Sequence, residues 1–238
     1  MGKVLVNETS LQGIANSIRG KNGTETTYKP SEMAAAIDAI ETGGNSNDDA
    51  TRLVIGTITE YSNDNITEIR DYAFYDCSQL TTIDIPNVTN IGDQVFAFCA
   101  SLTSVNFDSV TVIGQRAFSD CTGLQEIYLP SLQYNGVSMA FYNCPNLIRA
   151  ELGELSALKM YDFYGCSSIE TIILRKTDAI CTLHAKTFYN GDAVTNGTGY
   201  IYVPAALLEE YKAATNWTVY ADQIRAIEDY PDICGGAT

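Results

Sequence analysis

The sequence predicts an α/β solenoid: about six 22-residue coils with short parallel strands, preceded by a small N-terminal helical hairpin. Three patterns carry this expectation. Cys77, Cys99, Cys121, Cys144 and Cys166 follow one another at steps of 22, 22, 23 and 22 residues. Each has a phenylalanine three residues before it (Phe74, Phe96, Phe118, Phe141, Phe163) and Leu or Ile three residues after it (Leu80, Leu102, Leu124, Leu147, Ile169). Each copy then closes on two apolar residues separated by one other: Ile83 and Ile85, Val105 and Phe107, Ile127 and Leu129, Ala150 and Leu152, Ile172 and Leu174. That alternation marks a short strand. A fixed period with one strand per copy marks stacked coils, because a single coil cannot bury its apolar set alone.

In chain order, Leu11, Ile14, Ala15 and Ile18 fall at i, i+3, i+4 and i+7 and predict a first helix. Met33, Ala36, Ile37 and Ile40 predict a second, opened by Pro30 near its first turn. The short loop between them makes residues 1–41 a helical hairpin. Residues 42–52, rich in Gly, Asn and Asp, read as a linker. "LVIGTI" at 53–58 reads as a capping strand, and the solenoid runs over 53–204. Five residues before each Phe stand Ile69, Ile91, Ile113, Gly136 and Leu158. A sixth, longer copy carries Leu183, Phe188, Ile201 and Val203, with Gly191 where the cysteine would stand. Residues 205–238 are expected to form a capping helix, with Leu207, Leu208, Tyr211 and Trp217 over the last coil, and a tail.

A period of about 22 lies in the leucine-rich-repeat range. The stretches "AFYDCSQLTTIDIP", "AFSDCTGLQEIYLP" and "AFYNCPNLIRAEL" resemble BspA-like leucine-rich repeats, found in bacterial surface adhesins and some phage proteins. The resemblance covers about residues 66–204, and "YIYVPAALLEEYKAATNW" is similar to the usual close of such arrays. The segment "NETSLQGIANSIRGKNGTETTYKPSEMAAAIDAIETG" resembles a small module at the N-terminus of phage tail and structural proteins. That resemblance implies that the hairpin attaches the protein to a particle or to other virion proteins.

The regular cysteines invite three readings: a buried thiol ladder, disulfides between rungs, or metal ligands. The ladder is preferred. Free cysteine packs as a small hydrophobe, in-register Cβ atoms pointing the same way suit a disulfide poorly, and there is no Cys-x-x-Cys, with His184 the only histidine and off the rung. Cys181 and Cys234 stand off the ladder, and Cys234 is expected to be the exposed thiol. The net charge of −15, without a basic patch, argues against nucleic acid and anionic membrane surfaces as partners. No apolar run suits a membrane span or a secretion signal, so synthesis and folding in the bacterial cytoplasm are expected. No catalytic constellation, phosphate loop or calcium loop is found. The expectation is a protein that is not an enzyme and needs no cofactor.

A solenoid offers a surface instead. On each strand the residues between the apolar positions face outward. They make two columns: Thr82, Ser104, Glu126, Arg149, Thr171 and Tyr200, and Asp84, Asn106, Tyr128, Glu151, Ile173 and Tyr202. The later half is richer in aromatic, apolar and charged groups. The predicted ligand-binding face is therefore Glu126, Tyr128, Arg149, Glu151, Thr171, Ile173, Tyr200 and Tyr202. Tyr75, Tyr142, Tyr164 and Tyr189 form either a second exposed row or packing between coils. The function expected is a virion or tail-fibre component recognising a host-surface protein or glycan, with self-association left open. The alternatives are a BspA-like adhesin on the bacterial cell surface, or a structural or decoration protein of the virion.

Overall fold

The computed structural model describes residues 59–135, 138–189 and 194–235. The hairpin expected over 1–41, the linker at 42–52, the strand at 53–58 and Gly191 lie outside them.

Most coils contribute two short strands. The first series is β1 (Glu60–Ser62), β3 (Thr82–Asp84), β5 (Ser104–Asn106), β7 (Glu126–Leu129), β9 (Arg149–Leu152), β11 (Thr171–Leu174), β13 (Tyr200–Val203) and β14 (Ile224–Ala226). Between them run the two-residue strands β2 (Glu68–Ile69), β4 (Asn90–Ile91), β6 (Val112–Ile113), β8 (Tyr134–Asn135), β10 (Ala157–Leu158) and β12 (Thr182–Leu183). All pairings are parallel. β5, β7, β9, β11, β13 and β14 form one six-stranded sheet, β1 pairs with β3, and β2, β4, β6 and β8 form a second sheet. The register is Val105–Ile127–Ala150–Ile172–Ile201–Ile224, so equivalent residues stack rung upon rung.

The result is a parallel-strand β-solenoid of about seven turns. Two expectations change. Helices are few: the described ones are α1 (Leu208–Ala213) and α2 (Pro231–Cys234), with short 3₁₀ turns around them. The arc opposite the long strands is built of turns. The array also extends one strand past the sixth copy, because Ile224–Ala226 pairs with β13. In the second sheet Asn135, not Gly136, stands opposite Ile113, because the extra residue of the 23-residue step falls after it.

The repeated apolar set makes the core. Phe74, Phe96, Phe118, Phe141, Phe163 and Phe188 stack in one column with ring centroids 5.2–5.9 Å apart. Such contacts contribute about 0.5–1.5 kcal/mol each beyond the area they bury. The five ladder cysteines are free and fully buried. Four donate to the Phe carbonyl of the preceding coil: Cys99 Sγ to Phe74 O (3.2 Å), and Cys121, Cys144 and Cys166 to Phe96, Phe118 and Phe141 (each 3.0 Å). A thiol is small enough for the rung and supplies a donor to a buried acceptor.

The turn arcs interlock by backbone bonds. Tyr72, Phe74 and Asp76 donate from N to Asp93, Val95 and Ala97 O at 2.9, 3.1 and 2.8 Å. Gln94, Phe96 and Phe98 repeat the pattern one coil on. Reaching forward this way requires left-handed backbone twice per coil. Tyr72 and Asp76 have φ of 63° and 58°, Gln94 and Phe98 53° and 65°, and Arg116 and Asp120 54° and 59°. A side chain there costs about 1 kcal/mol or more, which the bonds between coils offset. Among the described residues of the ladder, glycine takes such a position at Gly165 alone (φ 73°).

The C-terminal cap fits the last coil closely. Tyr211 and Trp217 are fully buried. The Tyr211 hydroxyl accepts from Cys181 N and Trp217 Nε1 donates to Cys181 O, both at 2.7 Å. The two aromatics thus satisfy both backbone groups of one residue that no strand partner reaches.

Candidate functional site

The outward columns divide into an open half and a covered half. On β3, β5 and β7 the outward residues Thr82, Asp84, Ser104, Asn106 and Glu126 are exposed, and Tyr128 is 37% exposed. On β9, β11 and β13 the second column is closed: Glu151 is 3% exposed, Ile173 0% and Tyr202 3%. The predicted face therefore needs correcting at these three residues, which do not lie at the surface. Arg149 and Thr171 are half-buried, and Tyr200 is exposed.

The chain's own tail covers them. After β14 it turns back through Ile227, Tyr230 and α2, and lays Ile227, Tyr230 and Cys234 on Ile173 and Tyr202. Tyr202 and Tyr230 meet edge to face at 5.4 Å. Beneath the tail lies a charged clamp. Glu151 Oε2 accepts from Arg149 (2.9 Å), and Oε1 from Arg175 Nε (2.6 Å). Each arginine also reaches the tail: Arg149 donates to Ile233 O at 2.9 Å, and Arg175 donates to Cys234 O. A buried carboxylate is tolerated here because two guanidinium groups meet both of its oxygens.

Cys234 is accordingly buried, 1% exposed, and is not the accessible thiol expected from its place in a glycine-rich tail. Burial raises its pKa, against the pull of Arg175 and Arg149. The signals missed were Arg175, Glu228 and the tail residues. The alternation Ile224, Ala226 was available in the sequence as one more strand.

Between the open strands and the tail lies a groove of about 1030 Å³. Ser104, Asn106, Glu126 and Tyr128 form one wall, and Ile227, Glu228, Cys234 and Gly235 the other. Arg149, Glu151, Arg175, Asp108 and Glu154 line it as well.

The tyrosine row on the turn side is partly exposed and also packed between coils. Tyr142 and Tyr164 stack at 4.8 Å and 4°, and Tyr164 and Tyr189 at 5.9 Å. Tyr75 instead meets Phe98 at 5.4 Å. Among the described residues no group of three or more His, Cys, Asp or Glu is placed to hold a metal ion, and no helix is long and apolar enough to cross a membrane.

This architecture defines a leucine-rich-repeat solenoid, a fold that generally serves as a protein-binding scaffold. More particularly, the chain belongs to the family described as the BspA type leucine rich repeat region, whose model matches residues 57–170 and 89–198 in six copies. Among solved structures it is similar to a leucine rich repeat protein of T. pallidum, at 27% identity over 53% of this chain and 60% of that one, TM-score 0.48. It is similar to the pneumococcal vaccine antigen PcpA at 18% identity, over 71% of this chain and 40% of that one, TM-score 0.55, a likeness of fold. A leucine-rich repeat protein from Bacteroides ovatus matches at 27% identity, over 63% and 44%, TM-score 0.46. The chain thus spans 60% or less of the length of each of these proteins. No curated protein matches it.

Proposed function

We propose that the protein is a non-enzymatic binding protein that recognises a surface ligand through the open half of the strand face. The groove beside Tyr128 and Glu126 carries this reading. It is the place where outward side chains of several coils meet a concave wall, and concave walls with an aromatic and a few polar groups are where binding energy concentrates. Arg149 lines it, and Thr171 and Tyr200 continue the outward column of Arg149 beyond it. Residues 1–41 serve as an attachment module on the linker 42–52, the solenoid over 53–204 presents the face, and 205–238 cap it. The N-terminal resemblance to phage tail and structural proteins favours a virion or tail-fibre component that meets a host-surface protein or glycan.

A second reading, an adhesin of the bacterial cell surface, is favoured by the family match and by the vaccine antigen with which the fold is shared. Full-length protein carrying Tyr128→Ala tests the shared core of both. Binding to whole host cells and to a glycan array should fall sharply while the fold, read by circular dichroism, stays intact. Undiminished binding by the folded variant would remove the groove from the function. Association of the wild-type chain with purified virions separates the first reading from the second.

A further inference from the structure

We propose that the groove takes a cationic polypeptide segment, with a lysine or arginine head group over the Tyr128 ring. This inference rests on the reading of the open strand face as the binding surface and specifies its partner.

The groove is large enough for a few residues of extended chain. Apart from the buried Glu151, its carboxylates, Asp108, Glu126, Glu154 and Glu228, are exposed, and none of these four is in an ion pair with a described cation. Among the described residues its lining cations are Arg149 and Arg175, already engaged with Glu151 and with carbonyls of the tail. The negative field is therefore not cancelled within the groove, and walls of protein on two sides focus it. An anionic partner would be repelled.

The tyrosines supply an independent observation. Two other exposed tyrosines in this chain carry a cation on the ring: Lys159 Nζ lies 4.1 Å from the centre of Tyr134, and the Arg225 guanidinium 4.8 Å from that of Tyr200. Tyr128 is comparably exposed, at 37%, and no described cation covers it. Its ring faces a groove lined with carboxylates, which is the setting a partner's ammonium or guanidinium group would complete.

The test is calorimetric titration of the full chain with hexalysine, with hexaglutamate and maltohexaose as comparison probes. Hexalysine should bind and the other two should not. Glu126→Gln with Glu154→Gln, and separately Tyr128→Ala, should each weaken binding by about tenfold or more. Glu210→Gln with Asp222→Asn, which removes the same charge on the far cap, should change it less than about twofold if the effect is local rather than that of net charge. Equal losses in the groove and cap variants, or no binding of hexalysine, would overturn the proposal. If hexalysine fails to bind while Tyr128→Ala still abolishes binding to cells, the groove remains the binding surface and only the cationic partner is rejected.

Discussion

Asn106 and Glu151 lie two coils apart in one sheet, each between two buried apolar neighbours in the chain, yet one is open to solvent and the other is buried. So are Tyr128 and Tyr202, at 37% and 3% exposure. The repeat assigns all four to the same outward column. What separates them is a segment beyond the repeats. The tail bonds through its carbonyls to Arg149 and Arg175 and packs on Ile173 and Tyr202, so the late strands become a core of their own. A solenoid position has two determinants, its phase in the coil and whatever the rest of the chain lays over it. The early strands keep the surface that phase alone gives them.

The largest test of this contrast is aromatic truncation on each side. Tyr202→Ala should cost about 3–5 kcal/mol, because it opens a cavity against Tyr230 and Ile227. Tyr128→Ala should stay within about 0.5 kcal/mol. Urea unfolding of both variants measures the gap, and similar costs would show that the two halves do not differ.

Removing the clamp is expected to cost less. Glu151→Gln leaves two guanidinium groups facing each other, but their side chains are 26% and 28% exposed, so solvent moderates the penalty to about 2–3 kcal/mol. The tail should loosen as well, with faster amide exchange over 227–235 than over 201–203.

A third expectation sharpens the contrast by what should not differ. Burial pushes the Cys181 thiol up to about 12 and raises Cys144 and Tyr211, while a hydrogen bond with Cys99, ahead of burial, raises Cys77. The folded state holds these protons above pH 9, where unfolded thiols release theirs. The stabilisation is therefore complete below pH 9 and is lost as pH rises toward 12. For Cys181 the loss should run at about 1.4 kcal/mol per pH unit over that window. Because Cys77, Cys144 and Cys181 lie along the whole array, both halves should unfold in one alkaline transition. Two separated transitions would contradict this.

Much of the architecture was legible because it is periodic. Phe, Cys and Leu at fixed phase define a rung, and the alternation after Leu places the strand, including Tyr200 opposite Thr171 despite the longer sixth copy. The second sheet was less legible, since two residues such as Asn90–Ile91 are too short to show alternation. The left-handed turns were hidden because Tyr72, Gln94 and Phe98 are not residues that announce a positive φ. The covering of Glu151, Ile173 and Tyr202 had no local signal at all. The bond from Arg149 to Ile233 spans 84 residues, and a tail carrying Gly235 and Gly236 reads as solvent-exposed chain.

Cys234 reports most directly on whether that tail is seated. Native full-length protein would be treated with a thiol reagent, and the rate of labelling at each cysteine followed by peptide mass spectrometry. With the tail clamped, Cys234 should react as slowly as Cys99 and Cys121, and Tyr230→Ala should release Cys234 alone. Labelling of Cys234 in the wild-type protein at the rate of a free thiol, with the ladder still protected, would mean that the late strands are as open as the early ones.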